Sequence, residues 1–107
     1  MNNTEVNFAR QYRTPHSEGF LVRLDRKPVG RLDLHFGAAS SYATLILLQD
    51  FSESMVLDLI CEIDDQLVVS AETSTEEFYI TVYRGKETGF FSGDHMPDHK
   101  GIVLKIE

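Results

Sequence analysis

Disulfide bonding within the chain is excluded at the outset, because Cys61 is its only cysteine. Stability must then come from packing, as a reducing compartment allows, and the cytoplasm is the expected location. No apolar run approaches the roughly 20 residues that a membrane-spanning helix needs. Residues 1–19 carry Glu5, Arg10 and Arg13 and no apolar stretch, so a secretory signal is not expected there. Positive charge is scarce too: Lys and Arg number 10 against 17 Asp and Glu, a net charge of −7. The imbalance is uneven, with six basic and five acidic residues over 1–50 (+1) but four and twelve over 51–107 (−8). An acidic surface repels phosphate backbones and anionic lipid alike, so neither nucleic acid nor a membrane is an expected partner. Only a spatial cluster of Arg10, Arg13, Arg23, Arg26, Lys27 and Arg31 would reverse this. Solubility by itself accounts for the surplus carboxylates.

Recognisable catalytic signatures are missing as well. The chain contains no GxSxG, Walker, dinucleotide-binding or HExxH pattern, and no internal repeat, so no catalytic residue and no cofactor is assigned.

What is present fits one ordinary domain. A chain of 107 residues with 42% apolar and 25% charged side chains has the composition of a folded globular protein. Residues 1–18 read as an N-terminal arm, partly disordered, ahead of a single α+β domain over 19–107. Phe20, Val22 and Leu24 alternate with Arg23 and Asp25, the pattern of a half-buried strand. Arg26-Lys27-Pro28-Val29-Gly30 supplies turn chemistry. Leu32, Leu34 and Phe36 then alternate with Arg31, Asp33 and His35, which completes an antiparallel hairpin. After the small-residue loop 37–41, Tyr42 to Leu48 is a nearly continuous apolar run of strand length, expected in the sheet centre.

The best-defined element follows. Met55, Val56, Leu59, Ile60, Ile63 and Leu67 recur at helical spacing opposite Asp58, Glu62 and Asp65, which predicts an amphipathic helix from Ser52 to about Leu67. Asp50 and Ser52 are both candidate N-caps. Residues 68–71 extend the helix or begin a strand, and 72–77 form a polar loop. Phe78, Ile80 and Val82 then alternate with Tyr79, Thr81 and Tyr83 in a β-branched and aromatic run. A second hairpin returns through 88–92, and 102–106 has the composition of a last strand. The expectation is therefore an α+β fold with a largely antiparallel sheet of five to six strands, in the order β-β-β-α-β-β with a final β as an option. One amphipathic helix packs on one face of that sheet.

Three residue groups invite a chemical reading. His95-Met96-Pro97-Asp98-His99, after Asp94, gathers metal-binding side chains, but Pro97 breaks any helical His pair and no further ligand adjoins, so no metal site is assigned. Cys61 sits on the flank of the helical stripe beside Glu62 and near Asp58, which oppose a thiolate, and is expected to be small and partly buried rather than nucleophilic. Asp58, Glu62 and Asp65 are the wet side of a helix. The opposite sheet face, with Arg23, Arg31, Asp33, His35, Tyr79, Thr81 and Tyr83, is unusually aromatic for a solvated surface.

Two functional classes follow. The first is a non-enzymatic protein-interaction or assembly module, a homodimer included, which meets its partner through Tyr79, Tyr83, Phe90 and Phe91. Of the two phenylalanines only one can point inward from a strand. The second is a small-molecule-binding domain or small enzyme with a site assembled on the open face from Arg31, His35, Tyr79 and Tyr83. A closed pocket with convergent polar groups favours the second class; a flat open sheet favours the first.

Overall fold

A computed structural model describes residues 5–68 and 77–89. Strands β1 (Val6–Arg13), β2 (Ser17–Leu24), β3 (Lys27–Phe36) and β4 (Ser40–Leu47) follow one another as an antiparallel meander. Helix α1 (Glu53–Ile63) continues into a π-helical turn at Asp64–Val68, and strand β5 (Glu77–Arg84) then lies parallel to β4. The spatial order is β1-β2-β3-β4-β5. This is the α+β, mostly antiparallel sheet with one helix that the periodicity predicts. The one parallel pair has a topological cause: a strand can run beside its predecessor in the same direction only after a crossover, and α1 lies in that connection.

Alternation divides the sheet cleanly. Phe20 and Val22 of β2, Leu32 and Leu34 of β3, and Leu45 and Leu47 of β4 are buried on one face. Leu59 and Ile63 of α1 join them in the same cluster, with Val56 and Leu67 packed half-buried against it and Met55 and Ile60 half-buried on the same helix. Ser52 is the N-cap; its extended backbone lets the hydroxyl accept from the Met55 amide at 3.3 Å. Asp50 instead faces Arg84, 2.9 Å away. Cys61 is exposed, contrary to the partly buried position expected of it. It stands two positions from Leu59 and two from Ile63, about 200° around the helix from each, which carries it to the wet side.

Three features differ from the sequence reading. Val6–Arg13, within the expected arm, is a paired strand: Val6 opposes Leu24 and Phe8 opposes Val22, with the Phe8 and Phe20 rings edge to face at 6.5 Å. Its alternation is hidden by charge and by a register shift. Arg10, at an inward position, lies over the Phe20 ring at 5.9 Å, and its Nε is 2.8 Å from a buried Glu18 oxygen, an ion pair without hydrogen-bond geometry. The irregularity between Arg10 and Tyr12 then turns Tyr12 to the other face. Secondly, the β2–β3 turn is Asp25-Arg26, not 26–30. Leu24 pairs with Lys27, and both central residues have positive φ, 50° and 73°, the primed two-residue turn that matches strand twist. Pro28 and Gly30 therefore lie inside β3, where the register shifts between Val22 and Arg23 and accommodates a residue without an amide hydrogen. Thirdly, the parallel β4–β5 pair was not legible. Thr88 and Gly89, the start of the expected returning strand, carry no strand, while its residues 90–92 with Phe90 and Phe91, the expected continuation at 69–71, most of the polar loop, the His95–His99 stretch and the strand at 102–106 lie outside the described residues. No helix among the described residues is long and apolar enough to cross a membrane.

Candidate functional site

The face of the sheet opposite the buried cluster is assembled in three rows. Cross-strand register aligns Ala9, Leu21, Arg31, Ile46 and Tyr83 in one row. The next contains Tyr12, Gly19, Asp33, Thr44 and Thr81, and the third Ser17, His35, Tyr42 and Tyr79. The chain has four tyrosines, and all four lie on this face. Tyr12, Tyr42, Tyr79 and Tyr83 are 38%, 52%, 50% and 57% exposed, although each carries a ring large enough to anchor an interface.

Arg31, His35, Tyr79 and Tyr83, the described members of the sequence-based candidate set, are thus brought to one surface. Tyr42 and Tyr12 were missed. Tyr42 starts what reads as a continuous apolar run, yet Ser41, Ala43, Leu45 and Leu47 all point inward, so strict alternation along that run would have exposed it. Its ring stacks on its register partner Tyr79 at 5.5 Å and 22°. Nothing local marks Tyr12, because its orientation depends on the register shift ahead of it.

Polar contacts hold the second row in place. Tyr12 lays its ring over Gly19, where a β-carbon would meet ring atom Cε2 at 1.9 Å, and its hydroxyl donates to Asp33 Oδ1 at 2.7 Å. Arg31 donates through Nη1 to Gln11 Oε1 at 2.6 Å, while Nη2 lies 3.7 Å from the same Asp33 oxygen. The hydrogen bond to Asp33 raises the Tyr12 phenol above its ordinary value of 10.0; burial and the Asp33 charge act the same way, and Arg31 opposes them. Tyr12 therefore stays a protonated donor throughout the neutral range.

Two depressions open on this face. One, of about 270 Å³, is bounded by Tyr12, Ser17, Asp33, His35, Tyr42 and Thr44. The other, of about 530 Å³, lies towards Gln11, Leu21, Arg31, Ile46, Lys86 and Glu87. Ser17, His35 and Asp33 share the face, but no hydrogen bond among the described residues joins them as a nucleophile relay, and the Ser17 hydroxyl sits 2.6 Å from Thr14 Oγ1. Among the described residues no three His, Cys, Asp or Glu side chains gather as a metal site. The chain matches no family model, no curated protein and no solved structure.

Gly19→Ala probes the Tyr12 contact directly. The added methyl group has no room under the ring, so Tyr12 swings away and loses Asp33. Its phenol should then titrate lower, back towards 10.0, because the neutral form is no longer held by the carboxylate. Tyrosinate absorbance across an alkaline titration reads this; an unchanged titration would mean that the ring does not depend on Gly19.

Proposed function

We propose that this chain is a non-enzymatic interaction module whose open sheet face docks a separate partner protein. The observation that carries this reading is the placement of all four tyrosines, each more than a third exposed, on the one sheet face turned away from the buried cluster. Tyrosine offers large contact area at low conformational cost and an edge hydroxyl for polar contacts, which is why it recurs in interface centres. Leu21 and Ile46 add apolar area beside Tyr83, while Arg31 and Lys86 border the same end. An open surface of this kind suits a macromolecule better than a buried metabolite.

Tyr83→Ala is expected to lose partner capture from native lysate while its melting temperature stays within a degree or two, since truncating a central interface aromatic commonly removes about 2 kcal/mol or more of binding. Leu57→Ala, an exposed residue on α1, should capture as the native chain does. Equal capture by the two variants would remove this reading. Sedimentation of the native chain tests the homodimer form, in which Tyr83→Ala would lower the mass. A second reading, a small-molecule-binding domain or small enzyme, draws on the depression around Asp33 and His35, where polar groups from three strands converge.

A further inference from the structure

We infer that the depression between Tyr12 and Tyr42 receives a guanidinium group, presented by an arginine side chain of the partner protein. This rests on the open face being a docking surface and names the chemistry of one contact on it. Among the described residues Asp33 is the only carboxylate lining the depression, no Lys or Arg lines it, and His35 lies at its edge. Its Oδ1 takes both neighbours, the Tyr12 hydroxyl at 2.7 Å and Arg31 Nη2 at 3.7 Å. Oδ2 has no partner among the described residues, so one acceptor oxygen is available to an incoming donor. The Arg31 guanidinium is drawn towards β1 by Gln11 and leaves the depression to another cation.

The surroundings select among cations. Tyr12 and Tyr42 line the depression together with Asp33, and the hydroxyls of Thr44 and Ser17, the latter already paired with Thr14, are further oxygen atoms of that lining. A planar guanidinium satisfies all of these, because it stacks on an aromatic face while its fork of N–H groups reaches a carboxylate and a hydroxyl in one plane. An ammonium is a hydrated point charge that cannot stack, and an anion would meet Asp33 directly. The volume, about 270 Å³, admits a side-chain head group with its last methylenes and excludes nothing else on steric grounds, so charge and planarity make the choice.

The chain has no tryptophan, so its near-ultraviolet emission comes from the four tyrosines of this face and serves as the probe. The native chain is titrated with a blocked Gly-Arg-Gly peptide and with its citrulline and lysine counterparts. The arginine peptide should change the emission saturably, with a Kd on the order of 1 mM for a single contact. Citrulline, isosteric but uncharged, should give no saturable change, and lysine should bind at least severalfold more weakly. Asp33→Asn, which retains an acceptor for Tyr12, should weaken arginine binding tenfold or more, and Tyr42→Ala should weaken it as well. Tyr83→Ala should leave it unchanged, since Tyr83 lies outside the depression. Equal binding of citrulline, equal binding of lysine, or an unaffected Asp33→Asn variant would each overturn the assignment. If arginine binding fails while lysate capture still depends on Tyr83, only this inference falls; if capture fails while arginine binding holds, the docking reading falls and takes the partner with it, leaving a guanidinium site alone.

Discussion

Leu59→Asp is expected to unfold the domain, whereas Asp58→Ala, at the adjacent position, should melt as the native chain does. Leu59 is 1% exposed and belongs to the cluster that joins α1 to the sheet, while Asp58 faces solvent. Placing an unpaired carboxylate there costs several kcal/mol in desolvation, set against a net stability of about 5–15 kcal/mol for a domain of this kind. Removal of the leucine packing adds to the loss. Circular dichroism during thermal melting gives the answer: a Leu59→Asp chain with no cooperative transition supports the packing, and two variants that melt alike would show the helix faces to be misassigned.

The next largest effect is expected from Leu45→Ala in the middle of β4. Leu45 is fully buried, opposite Leu32 on β3 and Val82 on β5, so its truncation leaves a void lined from two neighbouring strands. Such a change typically costs about 2–5 kcal/mol, the larger values arising where the surroundings cannot collapse into the space. With about 4–8 °C of melting temperature per kcal/mol in a domain of this size, the midpoint should fall by roughly 10 °C or more. Thr44→Ala, on the open face, should change stability by no more than about 0.5 kcal/mol. A comparable loss from both substitutions would contradict the inward and outward assignment along β4.

Both predictions use information that a single element carries. Leu59 follows from helical spacing, and Leu45 from its place in an apolar run of strand length, so the helix and most of the strands were legible without coordinates. So was half of the candidate face: Arg31 and His35 alternate with Leu32 and Leu34, and Tyr79 and Tyr83 with Ile80 and Val82. The unread parts share one cause. In β1 an arginine occupies an inward position beside Glu18, and the register shift after Arg10 reverses the phase, so the period of two is broken where it would be sought. At the β2–β3 turn Pro28 and Gly30 carry stronger local turn chemistry than Asp25-Arg26, which form the turn. The turn position is set by which residues pair across it, and a proline is tolerated within the strand beside an irregular register.

What the sequence by itself determined is the inward or outward side taken by the apolar and polar positions of β2 to β5 and α1 wherever the period is unbroken, because backbone geometry alone sets that alternation. Only the tertiary structure decided which side chains become neighbours. The crossover through α1 places β5 parallel to β4, and this puts Tyr79 on Tyr42 although 37 positions separate them. Pairing of β1 with β2 places the Tyr12 ring on Gly19 and its hydroxyl on Asp33. These contacts depend on strand order and hydrogen-bond register, which the buried face of the whole sheet selects together, and no local window of residues contains that information.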